Sequence, residues 1–107
     1  DACSAPGPLV EILEGRRLVH AHCYRSDEIL QLIRVADEFG FQIRSFHHGV
    51  EAYKLADLLA QKGISASLWS DWGGFKVEAM DGFQDGVPHA RRTARGLRRR
   101  GAALPIP

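Results

Sequence analysis

No apolar run in the 107 residues approaches the ~20 needed to cross a membrane, so no spanning helix is expected and no membrane partner. The opening stretch, Asp1–Pro8, lacks the basic-then-apolar order of a secretory leader. Cysteine is scarce. Cys3 and Cys23 offer at most one bridge, which excludes a disulfide framework and leaves the compartment open. Acidic residues stop at Asp85, while six of the 14 basic residues (Arg91, Arg92, Arg95, Arg98, Arg99, Arg100) crowd into one short stretch. The net charge of +1 therefore hides an acidic body and a basic end. That end has no interleaved aromatic residue on which bases could stack, so a nucleic-acid partner is not expected, and the stretch reads as a solvated, disordered tail.

What is present suits a single small globular domain: 45% hydrophobic and 25% charged residues in a chain too short for two cores. Pro8–Gly15 reads as a short helix, with proline in the first turn and glycine at the stop. Arg17–His22 reads as a buried strand. Ser26, Asp27 and Glu28 then supply an N-cap and first-turn acids, and Ile29, Leu32, Ile33, Ala36 and Phe39 recur at helical spacing until Gly40. The unit repeats: a strand over 41–46 ending at His47-His48-Gly49, a helix with Ala52, Leu55, Ala56 and Leu59 on one face, Gly63, and a third strand over 64–69. Alternation of this kind predicts an α/β fold with about three parallel strands and flanking helices. Three strands cannot close a barrel, and helices on one side leave the other face of the sheet bare. The pattern dissolves after Met80.

Four of the five histidines stand where the first two strands end: His20, His22, His47 and His48. C-terminal strand ends form the functional face of parallel α/β folds. His20 and His22 lie two apart and share a face. His47 and His48 are adjacent, so strand alternation predicts that only one of them joins that pair. Imidazole is the commonest ligand of zinc-like ions. Spacing alone leaves a capping or core role for these histidines as open as a metal role.

The wording around them is more specific. His22-Cys23-Tyr24-Arg25-Ser26-Asp27-Glu28-Ile29, followed by His48-Gly49-Val50-Glu51-Ala52-Tyr53-Lys54-Leu55-Ala56-Asp57, resembles the amidohydrolase superfamily in its imidazolonepropionase- and prolidase-like branch. The resemblance covers residues 9–88 and implies a partial (β/α)8 TIM-barrel slice carrying the fifth to seventh strands. It also implies hydrolysis of C–N bonds (non-peptide or dipeptide amides, cyclic amides) by metal-activated water. By resemblance, His22 and His48 are the metal positions ending the fifth and sixth strands, for a divalent ion of zinc type. Tyr24, Arg25, Asp71 and Lys76 fall in loops that would line a small-molecule substrate pocket.

The family's first-strand histidine pair and fourth-strand bridging residue would precede residue 1, and its eighth-strand aspartate has no counterpart after Pro88. By resemblance this chain alone is therefore expected to be inactive and to self-associate through exposed barrel edges. The barrel segment is drawn at 1–88. Residues 89–107 are set apart as a basic tail, disordered or translated out of frame, because Arg, Ala, Gly, Leu and Pro are what GC-rich codons yield in a wrong frame. The remaining reading is a non-catalytic α/β module that binds a metal or a partner.

Overall fold

Helix α2 (Ser26–Phe39) follows from its apolar spacing: Ile29, Ile33 and Ala36 lie on one stripe and all three are buried. Gly40 ends it. Its φ of 76° is in the left-handed region, where a residue without Cβ meets no clash, and its N–H returns to the Ala36 carbonyl. The computed structural model describes residues 7–69, 73–75 and 83–99. Within them, α1 (Pro8–Leu13) precedes β1 (Val19–His22), α2 leads to β2 (Ile43–His47), and a 3₁₀ turn (Ala52–Leu55) runs into α3 (Ala56–Gln61) and then β3 (Ser65–Ser67). The three strands are parallel, in the order β1-β2-β3. The α/β slice with three parallel strands and flanking helices is thus the observed fold. Strands are shorter than the apolar runs suggested. Leu18, expected in the first, precedes the paired stretch and is exposed.

Register sorts the side chains into rows. Ala21, Phe46 and Ala66 are successive cross-strand partners and face the helices, with Phe46 fully buried. Burial of a side chain that size contributes about 1.5–3 kcal/mol. The rows on either side, His20–Ser45–Ser65 and His22–His47–Ser67, alternate to the opposite face. The rows on that face are polar, with His20 and His22 exposed and Ser45 buried. An apolar bare sheet, one reason to expect self-association, is therefore not what the strands present.

The units are braced by one buried carboxylate. Glu51 is fully buried, and its Oε1 accepts the Ser26 N–H at 2.9 Å while its own N–H reaches the Tyr24 carbonyl at 3.3 Å. Ser26 was expected to cap α2 itself. Instead Arg25 is the N-cap residue without a side-chain bond, and the carboxylate from the next unit satisfies a first-turn donor.

Beyond the third strand, β4 (Gly73–Phe75) and β5 (Phe83–Asp85) pair antiparallel, and α4 spans Gly86–Arg99. The boundary drawn at Pro88 falls inside α4, so residues 89–99 are helix where a disordered tail was expected. Residues 100–107 lie outside the described residues. The physical reason is a narrow face at positions 93, 96 and 97. Thr93 and Leu97 are buried, Leu97 joins the main core, and at Gly96 an added Cβ would stand 2.4 Å from the Ala56 Cβ. Arg91, Arg92, Arg95 and Arg98 take the solvent side. Among the described residues no helix is long and apolar enough to cross a membrane.

Candidate metal centre

His22 closes β1 and extends from the polar face of the sheet. β2 ends at His47, and the next residue, His48, has a φ of 57°, a left-handed conformation rare for a residue with a β-carbon. That bend cancels strand alternation. His47 contacts His20, with Nε2 and Nδ1 3.1 Å apart, and His48 lies against His22, ring centroids 4.1 Å apart and planes inclined by 31°. All four histidines therefore gather on one face. The expectation that only one of His47 and His48 could join the first pair is corrected, because period-two alternation holds only while the backbone stays extended.

The turn that carries His48 is tied down on both sides. The Val50 N–H donates to the His48 carbonyl at 2.8 Å, the Gly49 N–H to the Ser67 carbonyl at 3.4 Å, and the Cys23 N–H to the His47 carbonyl at 3.0 Å. Trp69, two residues beyond β3, donates its indole N–H to His48 Nδ1 at 2.6 Å. Tyr24 stands edge-on to His22 at 4.8 Å and 5.9 Å from the His48 ring. A run of four rings results, Trp69–His48–His22–Tyr24, at the C-terminal ends of adjacent strands.

No protein-family model matches the chain. Among curated proteins, amidohydrolase tasK of Hapsidospora irregularis is 32% identical over 74 residues, a match covering 65% of this chain and 8% of that protein. A crystal structure of an amidohydrolase from Thermotoga maritima MSB8 superposes with a TM-score of 0.66 at 29% identity, covering 88% of this chain. Both matches support an amidohydrolase-superfamily fragment. The chain spans 23% of the Thermotoga chain, so the three parallel strands are a slice of that larger fold.

Amidohydrolases generally use divalent metals, and the residues here fit such an ion as part of a ligand set. Two imidazoles from adjacent strand ends share a face, and nitrogen donors of this kind suit zinc. The histidines meet as two pairs, and among the described residues no group of three or more His, Cys, Asp and Glu side chains is placed to hold a metal ion. Cys23 adds no thiolate. It is buried in the core, and burial, aided by the negative charge of Glu28 and Asp27, pushes its thiol up to about 11.

Of the pocket residues implied by resemblance, Tyr24 borders the histidines. Arg25 instead forks onto Asp27, with Nε and a terminal nitrogen each 2.9 Å from a carboxylate oxygen. Hydrogen bonding to the guanidinium holds Asp27 below the usual carboxylate range, and the same bond raises Arg25. Asp71 and Lys76 lie outside the described residues. The sequence leaves Trp69 as open to packing as to recognition and does not place it against a histidine. A tryptophan just past a strand that neighbours a histidine-tipped strand was the available signal.

Proposed function

We propose that, in the complete protein, this segment supplies two histidine ligands, His22 and His48, to a divalent-metal hydrolase site acting on C–N bonds of small amides or cyclic amides. The observation that carries this reading is the 4.1 Å approach of the two imidazoles on one face, from adjacent strand ends. A bound zinc-type ion would supply Lewis-acid chemistry, bringing the pKa of a coordinated water from ~15.7 towards ~7. The chain's own residues do the positioning. The Cys23-to-His47 backbone bond holds the two strand ends in register, and the left-handed turn directs the His48 ring toward His22. Tyr24, edge-on to His22, limits rotation of that ring and forms one wall for substrate.

Proton transfer from an attacking water calls for a carboxylate or comparable base within hydrogen-bond reach. Among the described residues no acidic side chain joins the histidines in a cluster of three or more. That observation favours a second reading for the chain taken alone, a metal-binding α/β module without turnover. Zinc titration by calorimetry tests the first point. We expect weak binding, since two imidazoles leave a tetrahedral ion short of protein ligands, and loss of that binding when His22 and His48 are both replaced by alanine. Unchanged binding in the double variant would remove the metal reading. Amide hydrolysis by the 107-residue chain would overturn the module reading.

A further inference from the structure

The indole of Trp69 is a hydrogen-bond donor only, so the bond to His48 fixes the state of that imidazole. Nδ1 must carry the lone pair. A neutral imidazole has one donor and one acceptor nitrogen, which puts the proton of His48 on Nε2. A metal ion needs a lone pair. If it approached Nδ1, the indole N–H would already occupy that direction. If it approached Nε2, the proton would have to move to Nδ1, where it would meet the indole N–H donor to donor. Both routes break the same bond. Metal-ligating histidines ordinarily give their second N–H to an acceptor, and an indole cannot accept it. Trp69 thus has the opposite polarity to a partner that would favour ligation.

The local geometry says which residue yields. The His48 backbone is held by the Val50 N–H on its own carbonyl and by the Gly49 N–H on Ser67. Trp69 is 49% exposed and lies past the paired end of β3. The anchored residue keeps its place and the half-exposed one turns. We propose that Trp69 is a latch on His48, engaged when no metal is bound and displaced when a divalent ion takes that imidazole. This rests on the reading of His48 as a ligand. The neutral ring keeps its single proton throughout. That proton passes from Nε2 to Nδ1 by exchange with water when the ion binds at Nε2, and stays on Nε2 when the ion binds at Nδ1. The latch opposes metal binding by the strength of one hydrogen bond, and it makes the indole a reporter of occupancy.

The test uses the full 107-residue chain in a Trp72→Phe background, so that indole emission belongs to Trp69, with zinc ion as the probe. We expect zinc to change the emission of Trp69, and this change to vanish when His22 and His48 are both replaced by alanine. Trp69→Phe, which keeps an aromatic ring without the donor, should bind zinc about three- to ten-fold more tightly, the range for loss of one opposing hydrogen bond. Imidazole 15N shifts add a readout that needs no metal: His48 should carry its proton on Nε2 in the zinc-free chain and lose that preference in Trp69→Phe. Zinc binding with equal or lower affinity in Trp69→Phe overturns the latch and leaves the metal site standing. A zinc-free His48 protonated on Nδ1 also overturns it. Absence of zinc binding with and without Trp69 removes both the latch and the metal reading.

Discussion

A β-carbon in the left-handed region costs about 1–2 kcal/mol, and His48 incurs that cost at a position glycine would occupy freely. Strain of this kind persists where surrounding bonds impose it, and the backbone bonds at residues 49 and 50 do so here. The consequence can be measured by urea denaturation. His48→Gly should be more stable than His48→Ala by up to about 1 kcal/mol, since both remove the ring while only glycine relieves the backbone and it loses somewhat more entropy on folding. Equal midpoints would show that the turn is unstrained. The same residue marks where sequence reading stopped working. Histidines at two strand ends were legible from spacing and wording. Their convergence was not, because one dihedral angle decides whether a strand's alternation continues past its last residue. The Trp69 bond was hidden for a related reason: it joins residues 21 apart across two strands, and no local pattern encodes it.

Among the elements, α2 was readable almost to the residue, because an apolar stripe, first-turn acids and a terminal glycine all gave the same answer. Its cap was not, since the carboxylate comes from the next unit. Glu51→Ala leaves a Ser26 N–H without its acceptor and should destabilise the fold by about 2–4 kcal/mol, with Glu51→Gln, which keeps an acceptor oxygen, costing less. Paired chemical denaturation curves decide it, and equal losses in the two variants would mean packing rather than the bond matters. Helix α4 shows the opposite failure. Arginine-rich composition masked a face of only three small or apolar positions, which is enough to dock a helix when one of them is glycine. Gly96→Ala ought to raise helix propensity by nearly 1 kcal/mol, yet the 2.4 Å approach to Ala56 predicts net destabilisation of about 1–3 kcal/mol. Hydrogen exchange of the α4 amides should then speed up selectively, and slower exchange would mean that the helix does not dock there.

At the scale of the whole molecule, much of the exposed apolar surface among the described residues lies on the helices. Val35 and Phe39, four apart on α2, are 40% and 65% exposed, and Leu9 and Leu13 of α1 are exposed as well. Exposed apolar surface of this kind favours association. Sedimentation should show the chain self-associating, and Val35→Lys combined with Phe39→Lys should shift it towards monomer. A wild-type chain that stays monomeric at tens of micromolar would contradict this. Among the described residues β1 and β3 each pair on one side only, so the sheet has a free edge at either end, and the two edges have the same strand polarity. A single copy can therefore offer its β3 edge to the β1 edge of another, head to tail. The tally then matters. An amidohydrolase barrel closes at eight strands, whereas copies of a three-stranded unit add up to six or nine. No whole number of identical tiles reaches eight. A ring or stack of this three-stranded unit is therefore out of step with an eight-stranded circumference.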